Sequence, residues 1–436
     1  MSMRFIPKDG ATRREFIRDL AKWGAVAGIS PVLLHVLTGE STDLFAQEGD
    51  KPPVAVDDKY YATEKHELKD LHPTDEKYFE TIEDNALRCH ICARHCFLPE
   101  GKTCFCRTHI NKGGKLYATN FNKACIIQKD HVEVGPFHHY RPESIVMSLA
   151  TAGCMLRCLY CQNWELSQAL PSQARSMPID AAEALKRMPI LPGDGEKPDT
   201  IMFSYTEPVA FHEWAMAISE RAIEHKIHRV CVSSGYWGPP ALKDAIKMYE
   251  AFCITLKGFT EQFYVNVLGA HLKPVMDNLV TIRESGRWLE VPILLVPGYN
   301  DDMDLIKQQA TWVKDYLGED TPVHFARLEP KWKMSNLPRT PQKTLEDARQ
   351  IGFDVGLKFV YIANLPGHEG NSTFCPNCKK IVIQRLGFLT KGMYMNKSAC
   401  KFCGARLPGV WGDVVVAPKK PRVNGSASAN GASRQM

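Results

Sequence analysis

The chain has 436 residues, 44% of them hydrophobic and 24% charged, which excludes a fibrous or wholly disordered protein and leaves room for two or three domains. The formal net charge of +5 is small for this length, and no dense Lys/Arg stripe with interleaved aromatics occurs, so no nucleic-acid partner is implied. The informative count is 15 cysteines. All but Cys125, Cys231 and Cys253 fall in three groups, at 89–106, 154–161 and 375–403, and such spacing indicates metal ligation rather than disulfides.

Residues 1–46 carry Arg13-Arg14, then Phe16, then a moderately apolar run, the shape of a twin-arginine export signal with a cleavage point after Ala46. The alternative is an ordinary amphipathic helix, which would leave the protein in the cytoplasm rather than the periplasm or cell envelope. Lys22 and Pro31 make the run a poor transmembrane span. Residues 47–86 are polar, with Pro52, Pro53 and Pro73, and are expected to form a linker or extended arm. A cysteine-rich segment follows at 87–140.

Over 141–370 the texture changes to β-rich runs of strand length: "SIVMSLA", "TIMFSY", "HRVCVSS", "AFCITL", "LEVPILLV", "VHFARL" and "FVYIA". Helical patterns at 208–225, 239–249, 272–285, 301–316 and 341–355 separate them. Strand and helix in alternation predict βαβ units, a parallel sheet, and an α/β fold of the partial (β/α) barrel type, with chemistry at the C-terminal ends of the strands. Residues 371–411 contain Cys375-x2-Cys378 and Cys400-x2-Cys403, two knuckles that predict a zinc-ribbon-like module, with rubredoxin-like iron as the alternative. Residues 412–436, rich in Gly, Ser, Ala and Asn, are expected to be a disordered tail.

Cys154, Cys158 and Cys161 follow the first barrel strand directly, in C-x3-C-x2-C spacing, after a glycine that lets the chain turn. Three thiolates on one loop can hold three irons of a [4Fe–4S] cubane and leave the fourth open to a small chelating molecule. A zinc site completed by a distant histidine, or free thiols, are the alternatives. Cys89, Cys92, Cys96 and Cys106 supply four soft ligands for a second site, which suit either zinc or a second cluster.

The C-x3-C-x-aromatic-C pattern, with Tyr160 at the aromatic position, resembles the signature of the radical S-adenosylmethionine (SAM) superfamily. "CQNWELSQ", "FSYTEP", "SSGY", "LKGF", "LLVPGYND", "NLPGHEGNSTFCPNC" and "GVW" occur in the order seen in the radical SAM enzymes of the AmmeMemoRadiSam system, relatives of pyruvate formate-lyase activating enzyme. The resemblance runs from about Leu87 to Trp411. It implies that the open iron binds the amino and carboxylate groups of SAM, and that reductive cleavage gives a 5′-deoxyadenosyl radical for hydrogen abstraction.

The resemblance places Glu207 at the SAM amino group, with Tyr205 and Thr206 lining the same pocket. Ser233, Ser234 and Gly235 fall at the methionine or ribose part, and Lys257 matches a family lysine. Gln162 and Asn163 fall beside the adenosine or the cluster, and His368 falls at the mouth of the pocket. Cys104 stands where these relatives usually carry glycine, a spare or alternative ligand. Thr255 replaces their usual aspartate, which removes a negative charge near the expected SAM carboxylate. Implied partners are a low-potential electron donor and a protein substrate, either a glycyl radical enzyme or other components of the named system. The competing expectation is an exported iron–sulfur electron-transfer or binding protein that does not cleave SAM.

Overall fold

The structure, a computed structural model, describes residues 66–193, 195–419 and residue 421; the expected export signal lies outside them. One eight-stranded sheet dominates. Its strands are β1 (Ile126–His131), β2 (Ile145–Ala150), β3 (Thr200–Phe203), β4 (His228–Ser233), β5 (Ala251–Ile254), β6 (Trp288–Leu295), β7 (Val323–Arg327) and β8 (Val360–Ala363). They lie side by side in chain order. The β1–β2 pair is antiparallel and every later pair is parallel. The sheet is open, with β1 and β8 as its two edges. Every residue of β3 and β5 is buried, as expected of parallel strands covered on both faces. Pairing between β5 and β6 stops at Cys253↔Glu290, two residues short of Pro292, which has no N–H to give to the ladder.

A helix follows each parallel strand up to β7: α1 (Ala181–Arg187), α2 (His212–Glu224), α3 (Pro239–Met248), α4 (Leu272–Glu284), α5 (Met303–Trp312) and α6 (Gln342–Asp354). Leu272, Val275, Leu279 and Ile282 fall on one face of α4 and are buried. Asp180 and Asp302 cap α1 and α5, each side chain accepting from a backbone N–H of the first turn. The helical patterns of the sequence overrun at two ends. Pro208–Phe211 is a 3-10 turn before α2, and Val313–Leu317 is a π-turn after α5.

Two segments are more ordered than the sequence suggests. In the expected linker, Phe79–Thr81 pairs antiparallel with Leu87–Cys89, and buried Tyr78 donates its hydroxyl to Asp244 at 2.8 Å. In the expected tail, Val414–Val416 pairs with Gly409–Trp411, and the Lys419 N–H donates to Asp320 at 2.9 Å. Short segments of this kind carry little periodic signal, and what orders them is the surface they land on.

The end of the sheet opposite the cysteine loop is closed by the segment joining β1 to β2. Buried Glu290 accepts from the N–H groups of His138 (3.0 Å) and His139 (2.8 Å), from Trp288 Nε1 (3.0 Å), and faces His324 Nε2 at 2.8 Å. A buried carboxylate with four such partners stays ionised, and its pKa is held below the usual value despite burial. The C-terminal segment adds a three-stranded sheet and a small core in which Cys375 and Cys400 pack with Phe359, Tyr361 and Trp411. Among the described residues no helix is long and apolar enough to cross a membrane.

Candidate active site

The C-terminal ends of β2, β3, β4 and β5 converge on one cavity of about 480 Å³, within the usual range for a small-molecule site. The loop after β2 brings Cys154, Cys158, Tyr160, Cys161, Gln162 and Asn163 to its wall. The loop after β3 brings Ser204, Tyr205, Thr206 and Glu207, β4 ends in Ser233 and Ser234, and Thr255 and Lys257 follow β5. Deeper in, Met202, Val232 and Leu294 give an apolar wall.

Local geometry fixes the cysteine loop. Gly153 has φ of +103°, and a Cβ there would sit 2.1 Å from Thr108 Cγ2 and 2.9 Å from the Cys106 carbonyl. Only glycine fits that approach. The Leu156 N–H donates to Cys154 Sγ at 3.3 Å, and Cys161 Sγ lies 3.2 Å from Ser167 Oγ. Burial pushes the Cys158 thiol up to about 11, opposed by the Lys257 ammonium. Such thiols become ligands when a cation replaces their protons.

Glu207 is almost wholly buried. Ser233 Oγ donates to one carboxylate oxygen, while the Ser234 N–H (3.0 Å) and Oγ donate to the other. Burial pushes its pKa up and these donors pull it back. The Thr206 hydroxyl donates to the Thr151 carbonyl at 2.7 Å, which ties the loop after β3 to the end of β2. Tyr160 Oη and Ser204 Oγ are buried and have no hydrogen-bond partner among the described residues. An orphaned hydroxyl on a cavity wall suits a polar ligand. Three thiolates, a buried carboxylate and two spare hydroxyls therefore fit an iron–sulfur cluster with a zwitterionic ligand.

Tyr205 lines the cavity and donates its hydroxyl to Asp130 at 2.9 Å. Two other sequence-derived candidates do other work. Gly235, at φ of +78°, turns the chain after β4 and is not on the cavity wall. His368 is also off the wall. Its Nδ1 accepts from the Gly370 N–H at 2.9 Å and its Nε2 lies 3.1 Å from Glu346, so both ring nitrogens are engaged. Conversely, Glu133 and His138 reach the wall from the β1–β2 connection, each with a buried polar atom unpartnered among the described residues. The His138-His139 pair and the histidine that the resembling enzymes carry at this position point to His138, and nothing in the sequence points to Glu133. Just past the cysteine loop, the exposed Trp164 ring stacks on Trp332 with centroids 6.3 Å apart.

At the C-terminal end, the sulfurs of Cys375, Cys378, Cys400 and Cys403 all lie within 4.8 Å of one another, with Cys375–Cys403 at 3.6 Å and Cys378–Cys400 at 3.7 Å. That is the spacing of four thiolates around one tetrahedral ion. At the N-terminal end, Cys89, Cys92, Cys96 and Cys106 are all buried around a separate small cavity, and Cys104 lines it with them.

Residues 148–308 match the family model described as the radical SAM superfamily. The chain is 39% identical over 335 residues to the uncharacterized protein MJ0808 of Methanocaldococcus jannaschii, covering 76% of this chain and 97% of that one. Among solved structures, a domain of pyruvate-formate lyase-activating enzyme from Bacteroides vulgatus aligns at 17% identity over 37% of this chain and 98% of its own, with a TM-score of 0.33. A radical SAM methyltransferase from Sphaerobacter thermophilus aligns at 14% identity over 52% of this chain and 68% of its own, with a TM-score of 0.40. With the family match lying across the cysteine loop and the strands that build the cavity, the chain belongs to the radical SAM superfamily and is an enzyme of it.

Proposed function

We propose that the chain holds a [4Fe–4S] cluster on Cys154, Cys158 and Cys161, binds SAM beside it, and aims the resulting radical at a substrate deeper in the cavity. The observation that carries this is the meeting of the three-cysteine loop with buried Glu207 on one cavity wall. When bound, the cluster supplies the electron that splits SAM into methionine and a 5′-deoxyadenosyl radical, which takes a hydrogen atom from substrate. The chain's own contribution is positional. Three thiolates leave one iron free of protein ligands. Glu207, both oxygens held by Ser233 and Ser234, accepts the SAM ammonium by charge-assisted hydrogen bonds. Lys257 lies on the same wall to meet a carboxylate, a pairing the replacement of aspartate by Thr255 leaves uncontested. Met202, Val232 and Leu294 keep water from the path of the radical.

We further propose that the open sheet acts as a partial barrel, that the C-terminal four cysteines form a zinc ribbon, and that the substrate is a protein, as for glycyl-radical activating enzymes or the AmmeMemoRadiSam components. Arg13-Arg14 and the apolar run after them support export by the twin-arginine route. Cell fractionation and the N-terminal residue of the mature protein test that proposal, with a start near residue 47 expected.

Anaerobic reconstitution, reduction and assay for 5′-deoxyadenosine test the activity. SAM-dependent release is expected, abolished by Cys158→Ala. No release from protein with an intact cluster would refute SAM cleavage and leave an electron-transfer or binding role.

A further inference from the structure

The N-terminal cysteines differ from the C-terminal four in a way their spacing alone does not reveal. Cys89, Cys92, Cys96, Cys104 and Cys106 are all buried and, with His109, line one small cavity. Cys104 lies on the wall of that cavity with the other four, so it belongs to the set. Yet among the described residues only the C-terminal four draw their sulfurs within 4.8 Å of one another. A tetrahedral zinc at about 2.3 Å from each sulfur needs that convergence. Thiolates on an iron–sulfur core stand further apart, because they bind the outer corners of the core.

The surroundings are those of a tuned centre. Thr108 Oγ1 donates to Cys106 Sγ at 3.1 Å, and His109 Nδ1 lies 3.6 Å from the same sulfur. The far side of the His109 ring is fixed by Glu213, at 3.0 and 3.1 Å. Hydrogen bonds to sulfur, each oriented by a further partner, are how a protein sets cluster chemistry.

The nest also shares a wall with the Cys154 loop. The Cys154 N–H donates to the Cys106 carbonyl at 3.3 Å, and Met155 of that loop lines the N-terminal cavity. Between the sites, the Phe105 ring is held between the guanidinium groups of Arg94 (3.7 Å) and Arg157 (3.9 Å), and Arg157 donates to the Cys154 carbonyl at 2.7 Å.

We propose that this five-thiol nest binds a second [4Fe–4S] cluster, adjoining the one on the Cys154 loop. It accepts one electron from a reduced low-potential carrier, which is left oxidised by one electron. The same electron then passes to the neighbouring cluster, and no atom or proton moves. The binding site stands independently of SAM cleavage; only the passing-on of the electron rests on the proposed function.

The test is metal and sulfide analysis with EPR on the anaerobically reconstituted full chain. The variant Cys154→Ala/Cys158→Ala/Cys161→Ala is expected to keep about four iron and four sulfide per chain and to give a cluster signal on reduction. Wild type should hold twice as much, with its fully reduced spectrum broadened by the second spin. Cys89→Ser/Cys92→Ser/Cys96→Ser in the otherwise intact chain, which leaves two thiols in the nest, should halve the iron and leave the C-terminal metal in place, which reports on folding. A second zinc beyond the one at the C-terminal cysteines, or iron without sulfide, in the Cys154→Ala/Cys158→Ala/Cys161→Ala variant would overturn the proposal. So would an unchanged iron content in Cys89→Ser/Cys92→Ser/Cys96→Ser. None of these readouts depends on 5′-deoxyadenosine release, so failure of SAM cleavage would be seen separately.

Discussion

Ser234 donates twice to the Oε2 atom of Glu207, from its backbone N–H and from its hydroxyl, and so fixes a buried carboxylate beside the cysteine loop. The carboxylate's pKa is raised by burial, so an arriving ammonium finds an acceptor whose charge is poorly solvated and strongly attractive. Glu207→Gln should weaken SAM binding at least tenfold, about 1.4 kcal/mol, without loss of iron. The pH dependence has a definite sign. Only the ionised carboxylate pairs with the ammonium, so wild-type affinity falls as pH drops through the raised pKa, and the Gln variant lacks that slope. Equilibrium binding to the reconstituted protein at several pH values checks both.

Gly153 is the hinge on which the cysteine loop approaches the N-terminal segment. Gly153→Ala would place a methyl group 2.1 Å from Thr108 Cγ2 and force a left-handed φ on a residue with a Cβ. Backbone strain of this kind costs about 1–3 kcal/mol, and relief requires the loop to move away from Cys106. The expected outcome is a lower thermal midpoint together with less iron bound at the Cys154 loop, measured on the same preparation.

The strands were readable because β3 and β5 are buried along their whole length, and such short runs of Ile, Met, Phe and Cys are what a strand covered on both faces requires. Metal-binding cysteines were readable because ligand spacing within one loop is a local property. The meeting of loops is not. Nothing in the sequence near Glu290 announces His324 or the backbone of His138, and nothing near Cys106 announces Cys154. Its sequence position makes Cys104 a spare or alternative ligand, and the fold puts it on the same cavity wall as the other four. The resemblance places His368 at the mouth, but its ring folds back onto the Gly370 N–H.

The C-terminal four cysteines should bind one zinc, and their role is to hold a small core together. Cys375 and Cys400 pack with Phe359, Tyr361 and Trp411, and Tyr361 belongs to β8. Cys378→Ser/Cys403→Ser should remove that zinc and destabilise the chain by more than about 3 kcal/mol, as loss of a structural metal does. Iron at the Cys154 loop should be retained under mild conditions. Metal analysis and urea unfolding of the same variant distinguish this from a general failure to fold.

His139 and His212 give the fold a dependence on pH. Burial pushes both down to about 4, against about 6.5 in an unfolded chain. Partners fix the neutral ring of His139: Nδ1 donates to the Pro408 carbonyl at 2.7 Å, and Nε2 is left to accept from the Tyr361 hydroxyl at 2.6 Å. Between pH 4 and pH 6.5 the unfolded chain therefore binds protons that the folded chain does not, and stability must fall as pH is lowered through that window. Above pH 7 neither ring contributes a slope. Glu290, whose pKa is held below its ordinary value, adds its own loss only at still lower pH. His139→Gln should cost stability at pH 7.5 through lost packing against Phe359 and Trp411. It should lose less than wild type on going to pH 5, by roughly 1–2 kcal/mol. Urea midpoints at the two pH values measure that difference. An equal drop in both proteins would mean that the His139 ring is already charged in the fold.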